Sequence, residues 1–242
     1  MTNDGKCPSP EFHLVLEDNF DSDSLDLNKW EYAQPWGNHS IDGFKYSLEY
    51  QTDGTNYKFE NGILNLIIRR EKIFAKAIKY MDSCFVLNDG GCNMRWWNYT
   101  AGMIFSKNKY GYGKYEIRCK IPKGKGFWPA FWLYGDGDEE IDVFEFSNER
   151  DIFGNLKEKN LSHVNHMTIH SGKSICPSNV SDIDYSADFH VYALIWMNNK
   201  MEWYIDGKLK RTSYKFYSLL GQPMDCDQIQ KDNFYLQDKA FL

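Results

Sequence analysis

Residues 140–146 read EIDVFEF, and this is the most informative segment of the sequence. In a regular strand, successive side chains point to opposite faces, so Glu140 and Asp142 would share one face and the apolar residues after them the other. Two apolar residues, Val143 and Phe144, then follow in succession before the next acid. The alternation therefore slips by one residue inside the strand.

A β-bulge at Val143–Phe144 would absorb the extra residue and return Glu145 to the face of Glu140 and Asp142. We therefore predict three carboxylates in a row on one face of a strand. The apolar underside would be formed by Ile141, Val143 and Phe146. Three like charges at strand spacing repel one another, which a purely structural strand has little reason to tolerate. An edge strand with its charges facing solvent is the alternative interpretation.

Such a trio suits the hydrolysis of glycosidic bonds. A retaining glycosidase needs a carboxylate nucleophile and a carboxylic acid about 5–5.5 Å apart, and mutual repulsion keeps one of them protonated near neutral pH. Asp142, between Glu140 and Glu145, can hydrogen-bond the nucleophile, so the titration of these acids would be coupled.

The rest of the sequence indicates an all-β fold. Short apolar or alternating runs recur between turn signals, as at residues 62–68, 114–120 and 190–196, and convincing amphipathic helices are scarce. Residues 201–205 followed by Asp206-Gly207 predict a tight hairpin, because Asp-Gly tolerates the positive φ angles of a type I′ turn.

Length and charge limit the classes of protein to consider. The 242 residues contain no internal repeat, low-complexity stretch or linker, so we predict a single domain over residues 1–242. No run of about 18 apolar residues is present, so we expect no membrane-spanning helix. The net charge of -6 argues against a nucleic-acid partner, whose phosphates would require a basic face.

Cysteines and the amino-terminal residues leave two questions open. The six cysteines show no close metal-type pairing, and free thiols or one or two disulfides both fit the sequence. Residues 1–9 are polar and lack the layout of a secretory signal, so either the protein stays inside the cell or a signal lies outside this sequence. We expect an extracellular, periplasmic or cell-surface location.

Residues 126–133, GFWPAFWL, place Trp128 and Trp132 on one face of an extended segment. Aromatic rings so placed can flank a sugar, although either tryptophan could instead fill the core. We predict both as substrate-binding residues.

Three motifs together resemble glycoside hydrolase family 16, the group of laminarinases, agarases and carrageenases. They are YGKYEIRCKIP at residues 112–122, WPAFW at residues 128–132, and Glu140-x-Asp142-x-x-Glu145. Their order and spacing match the family as well as their residue types do. The resemblance extends from about Leu14 to Tyr217.

The resemblance implies a concanavalin-like β-jelly-roll sandwich of two antiparallel sheets with a concave cleft. It also implies retaining endo-hydrolysis of β-glycosidic bonds in a polysaccharide, either a β-1,3-glucan or a marine-type galactan. Carried onto matching positions, Glu140 is the nucleophile, Asp142 the assisting acid and Glu145 the general acid/base. The alternatives are a carbohydrate-binding sandwich without catalysis and an inactive, truncated fragment.

Further residues and partners follow from the same resemblance. Asn38 matches a position at the negative subsites, although a loop asparagine can equally form a turn. We predict His170 as a substrate contact, with a buried structural histidine as the alternative. We expect no catalytic metal and no required cofactor, and keep open the structural calcium that many members carry. We expect a monomer with a polysaccharide substrate. The family's C-terminal strands have no match in the residues that follow Tyr217, so we expect the chain to lack them.

Overall fold

The computed structural model describes residues 11–34, 37–40, 47–87, 90–124, 126–135, 139–146, 161–171, 173–175 and 178–215. These residues form β-strands joined by turns, with one 3-10 helix at Leu161–His163. They fall into two compact units, one of residues 14–108 and the other of residues 109–215 with residues 11–13. The single domain over residues 1–242 stays a prediction. The prediction that the chain lacks the family's C-terminal strands falls on residues outside the described ranges.

The unit of residues 14–108 is built from strand pairs. Its strands are β1 (Trp30–Tyr32), β2 (Glu49–Gln51), β3 (Tyr57–Glu60), β4 (Ile63–Leu66), β5 (Ile73–Lys76), β6 (Met94–Trp97), β7 (Tyr99–Ala101) and β8 (Ile104–Ser106). The pairs β1–β8, β3–β4 and β5–β6 are antiparallel, whereas β2 and β7 run parallel. Trp97 is buried with Ala77 and Leu87, and its neighbour Trp96 is exposed.

The unit of residues 109–215 contains two antiparallel sheets. Its strands are β9 (Gly113–Cys119), β10 (Ala130–Tyr134), β11 (Glu140–Phe146), β12 (Val164–His166), β13 (Ile169–Ser171), β14 (Lys173–Ile175), β15 (Ser178–Val180), β16 (His190–Trp196), β17 (Lys200–Ile205) and β18 (Lys208–Tyr214). One sheet has the order β14-β13-β11-β12-β15, with β10 also paired to β11, and the other has the order β18-β17-β16-β9.

The core of this unit joins side chains from both sheets. Alternate residues of β16 and β17 are almost fully buried, among them Tyr192, Trp196 and Trp203. They share one apolar cluster with residues of β11, and the rings of Phe144 and Tyr192 approach to 4.5 Å between centroids. Because side chains alternate along each strand, this packing leaves the opposite face of β11 available for polar groups. The all-β prediction is confirmed.

Two smaller predictions concern the cysteines and the membrane. Cys84, Cys92 and Cys119 are free thiols, and the other three cysteines lie outside the described residues. Within the described ranges, no helix is long and apolar enough to cross a membrane.

The predicted hairpin joins β17 to β18. Ile205 pairs with Lys208, so Asp206 and Gly207 form a two-residue turn. Both have positive φ, 50° and 71°, as a type I′ turn requires. This hairpin fixes the register of β18 against β17.

Gly207→Ala should lower the free energy of unfolding by about 1 kcal/mol, because a side chain at positive φ is strained. A Cβ at Gly207 would meet nothing within 4 Å, so crowding adds nothing to this loss. Gly207→Asn is the matched control and should lose less, since asparagine tolerates this backbone conformation. Urea unfolding followed by tryptophan fluorescence measures both variants. Equal losses for alanine and asparagine would contradict the turn assignment.

Candidate active site

The bulge in β11 brings the three acids to one face. Phe131 of β10 lies opposite Phe144 and the next residue, Trp132, lies opposite Asp142, so Val143 is the extra residue. Alternate residues of β10 therefore face the acids: Tyr134 opposite Glu140, Trp132 opposite Asp142 and Ala130 opposite Glu145. Ala130, Trp132 and Tyr134 share one face of β10, because they are alternate residues of a regular strand. The acids directly opposite them therefore share the same face of the sheet.

The underside of β11 packs into the core as its apolar residues predict. Ile141, Val143 and Phe146 are at most 2% exposed, and all three belong to the buried cluster of the unit. Phe144, which the prediction did not include, is buried there as well. The bulge allows two successive residues to face the core while the acids on either side keep the opposite face.

Burial shapes the electrostatics of the acids. The Asp142 side chain is 1% exposed and that of Glu140 is 26% exposed. Burial raises the pKa of Glu140, and the neighbouring Asp142 carboxyl raises it further. Burial also raises the pKa of Asp142, and the charge of Glu145 adds to this effect. Two neighbouring carboxyls, one buried and one half-buried, therefore resist losing both protons.

His170 lies beside the two buried acids. Its Nε2 is 3.3 Å from Oδ2 of Asp142 and 3.8 Å from Oε1 of Glu140, and it stands opposite Glu140 across β11 and β13. His166 stands opposite Glu145 across β11 and β12, a position that the sequence analysis did not identify. The spacing of the two histidines could have indicated this position. His166 and His170 are four residues apart, whereas their partners Glu140 and Glu145 are five apart, because the bulge adds one residue to β11.

Both predicted tryptophans lie at the acidic face. The indole N–H of Trp128 donates to Oε1 of Glu145 at 2.9 Å, and Trp128 is 57% exposed. Trp132 shares the face of Asp142, as its directly opposite partner, and its ring meets that of Tyr134 edge-on at 5.7 Å. The exposure of Trp128 and the partial burial of Trp132 favour a surface role for these rings over a purely core role.

Asn38 belongs to the unit of residues 14–108, whereas the acids belong to the other unit. It forms an isolated bridge with Ile78, and its carbonyl oxygen accepts a hydrogen bond from the Gln34 N–H at 3.2 Å. Its side-chain oxygen is buried and has no hydrogen-bond partner among the described residues. Its role in substrate binding stays a prediction.

The acidic face also contains a potential set of metal ligands. One donor atom each from Glu140, Asp142 and His170 lie within 4.8 Å of one another, the only such group in the part of the chain that the structure describes. Calcium prefers six to eight oxygen ligands. An imidazole nitrogen and two carboxyls supply fewer oxygens than this, so the cluster by itself does not fit a structural calcium site.

Comparisons with known proteins show which family the chain resembles. Residues 46–230 match the sequence profile of "Glycosyl hydrolases family 16". The catalytic domain of an endo-1,3-beta-glucanase (laminarinase) from Thermotoga petrophila RKU-1 superposes with a TM-score of 0.64 at 27% identity, covering 96% of this chain and 84% of that one.

Two relatives are similar in sequence. Glucan endo-1,3-beta-glucosidase A1 of Niallia circulans is 28% identical over 237 residues, covering 85% of this chain and 30% of that protein. A beta-1,3-glucan-binding protein of Penaeus monodon is 35% identical over 121 residues, covering 43% of this chain and 31% of that protein. The chain thus spans less than a third of the length of either relative.

The profile match includes all three motifs from which the resemblance was inferred, and the laminarinase domain has the jelly-roll architecture that the resemblance implied. The predicted family and the predicted jelly-roll fold are confirmed, as is the prediction of a glycoside hydrolase. The chain belongs to glycosyl hydrolase family 16.

Proposed function

We propose that this chain hydrolyses internal bonds of a β-1,3-glucan with retention of configuration, through a covalent glycosyl-enzyme. The observation that carries the proposal is the row of three acids on one face of β11, with the central Asp142 buried between the other two. The activities for which the Niallia and Thermotoga relatives are named support β-1,3-glucan as the substrate. A marine-type galactan is the weaker choice, because neither of these relatives is named for it.

The first step forms the glycosyl-enzyme. Glu140 attacks the anomeric carbon while Glu145 gives its proton to the departing glycosidic oxygen. Of the two buried acids, Asp142 is the more completely buried, so desolvation penalises its ionised form more. We therefore assign the proton of the Glu140–Asp142 pair to Asp142, whose O–H can then donate to the Glu140 carboxylate.

The second step releases the sugar. Glu145, now ionised, takes a proton from water, and the oxygen of that water attacks the anomeric carbon and displaces Glu140. Trp128 donates to Glu145 and keeps it aligned through both steps. Trp132 and His170 lie beside the acids, where a ring face and an imidazole can contact the sugar.

The polymeric substrate also bears on location. A glucan chain cannot cross a cell membrane, so we place the protein outside the cytoplasm, in the medium, the periplasm or at the cell surface.

Hydrolysis by two carboxylates requires no cofactor.

A glucan-binding module without catalysis is the second candidate, favoured by the Penaeus relative. Binding alone does not need a buried acid between two others, since stacking and neutral hydrogen bonds suffice for sugar recognition. Hydrolysis would release new reducing ends from the glucan, whereas binding alone would release none.

Digestion of laminarin, mixed-linkage glucan, agarose, porphyran and carrageenan tests the proposed function. We expect a ladder of oligosaccharides from laminarin at the earliest times, because internal cuts produce all lengths. Retention of laminarin by a cooperatively melting chain that releases no sugar would identify the binding module instead.

Replacing Glu140 or Glu145 by alanine should give glycosyl azides of opposite anomeric configuration when the variant reacts with azide and an activated aryl β-glycoside. In Glu140→Ala, azide enters the space vacated by the nucleophile and yields the α-glycosyl azide. In Glu145→Ala, azide attacks the glycosyl-enzyme from the other face and yields the β-glycosyl azide. Hydrolysis of laminarin by Glu145→Ala should be slower by about 10²–10⁴-fold. Proton NMR of the products distinguishes the anomers, and identical anomers from both variants would refute the role assignment.

Stability should depend on pH through the buried pair. Because the pKa values of Glu140 and Asp142 are raised, the folded chain keeps a proton that the unfolded chain loses above about pH 4.5. The free energy of unfolding therefore falls as pH rises beyond that value. Asp142→Asn removes the acid that holds this proton, so its stability relative to the parent should increase by on the order of 1 kcal/mol between about pH 5 and about pH 8.

Thermal melts followed by circular dichroism in a buffer series measure this gain. Glu60→Gln is the control, since the side chain of Glu60 is 54% exposed and pairs with Lys58 at 2.8 Å. A gain for Asp142→Asn that is independent of pH, or matched by the control, would contradict the retained proton.

A further inference from the structure

The backbone of Asp142 lies at the irregular point of β11, where the ladder to β10 skips Val143. The N–H of Asp142 donates to the carbonyl oxygen of Thr168 at 3.0 Å. The carbonyl oxygen of Asp142 accepts a hydrogen bond from the indole N–H of Trp203 at 2.8 Å, a residue 61 positions further along the chain. A bulge withdraws backbone groups from the ladder, and a buried carbonyl then needs a donor from elsewhere.

Trp203 is held in place by its own neighbours. It is completely buried in the core, and Arg211 stands directly opposite it on β18. The Arg211 guanidinium lies 4.6 Å from the centre of the Trp203 ring and also donates to the carbonyl oxygen of Met167. Met167 precedes Thr168, the acceptor for Asp142. The β17–β18 hairpin therefore contacts the backbone of Asp142 and also the segment whose Thr168 accepts the hydrogen bond from Asp142.

We propose that Trp203 is a positioning residue, whose indole N–H fixes the Asp142 backbone at the bulge and thereby the distances from the Asp142 carboxyl to Glu140 and Glu145. This inference rests on the proposed function. Trp203 touches no reacting atom and acts only through Asp142. A displacement of about 1 Å at a reacting group can reduce turnover by about 100-fold, so a bond that holds this backbone has a measurable effect.

Trp196 provides a matched comparison inside the same core. It is 1% exposed, lies on the neighbouring strand β16, and belongs to the same apolar cluster as Trp203. Its indole nitrogen has no hydrogen-bond partner among the described residues. Replacing either tryptophan by phenylalanine removes the same volume, but only the change at Trp203 removes a hydrogen bond to Asp142.

The test compares Trp203→Phe with Trp196→Phe on laminarin, at a temperature well below both melting transitions. We expect kcat of Trp203→Phe to fall by up to about 100-fold with KM little changed, and its kcat/KM–pH profile to shift. Trp196→Phe should keep the parent's kcat and pH profile despite a similar loss of thermal stability. Equal kcat values and equal pH profiles in the two variants would overturn the inference.

A second pair of variants covers the case in which Trp203→Phe does not fold. Site-specific incorporation of 3-benzothienylalanine at position 203 or 196 keeps the fused ring and replaces only N–H by sulfur. The same contrast in kcat and pH profile is expected between the two positions, and identical behaviour overturns the inference.

Failure of the proposed function is distinguishable from failure of this inference. If the parent releases no sugar from any glucan, the proposed function fails, and the pH dependence of thermal melting then decides the role of Trp203. A pH dependence altered by the change at Trp203 and preserved by the change at Trp196 supports positioning of Asp142. The same pH dependence in both variants refutes it.

Discussion

The single extra residue at Val143 is the constraint on which the rest of the site depends. In a regular strand, Phe144 would share the face of Glu140 and Asp142, whereas Glu145 would point into the core. A one-residue bulge corrects both positions, because it turns Phe144 inward and Glu145 outward. The chemistry of the upper face and the packing of the lower face thus have one common origin in the backbone.

Placing three acids side by side opposes folding, and the core beneath them offsets this cost. Holding a proton on the Glu140–Asp142 pair at neutral pH opposes folding, because burial raises the pKa of both carboxyls. Each fully buried large apolar side chain contributes roughly 1.5–3 kcal/mol. Four apolar side chains are buried on the underside of β11: Ile141, Val143, Phe144 and Phe146. Their burial therefore favours the strand that the repulsion above it disfavours.

Local patterns in the sequence were sufficient to predict part of this structure. The bulge follows from two adjacent apolar residues between acids, and the β17–β18 turn follows from Asp206-Gly207. Their physical causes, alternation and positive φ, act within a few residues. The fold family and the roles of the acids came from resemblance, which carries information that no local rule contains.

Long-range partners could not be predicted in this way. Trp203 and Trp196 are indistinguishable by sequence pattern, since both are apolar residues on inward-facing positions of alternating strands. Only the three-dimensional structure shows that the indole N–H of Trp203 has an acceptor, the Asp142 carbonyl, whereas that of Trp196 has none among the described residues. His166 was missed for a related reason, because its register depends on where the bulge falls in a strand on another part of the chain.

The exposure of the acids and their neighbours gives an argument for their roles that does not depend on resemblance. A general acid/base exchanges a proton in each of the two steps, so it must lie where water and the leaving sugar can reach it. Glu145 meets this requirement, because its hydrogen-bond partner Trp128 is largely exposed. A nucleophile benefits from restricted solvation, and Glu140 is only 26% exposed beside the buried Asp142. The neighbours of these two chemically identical side chains therefore distinguish them, since Glu145 contacts an exposed ring and Glu140 lies beside the buried Asp142.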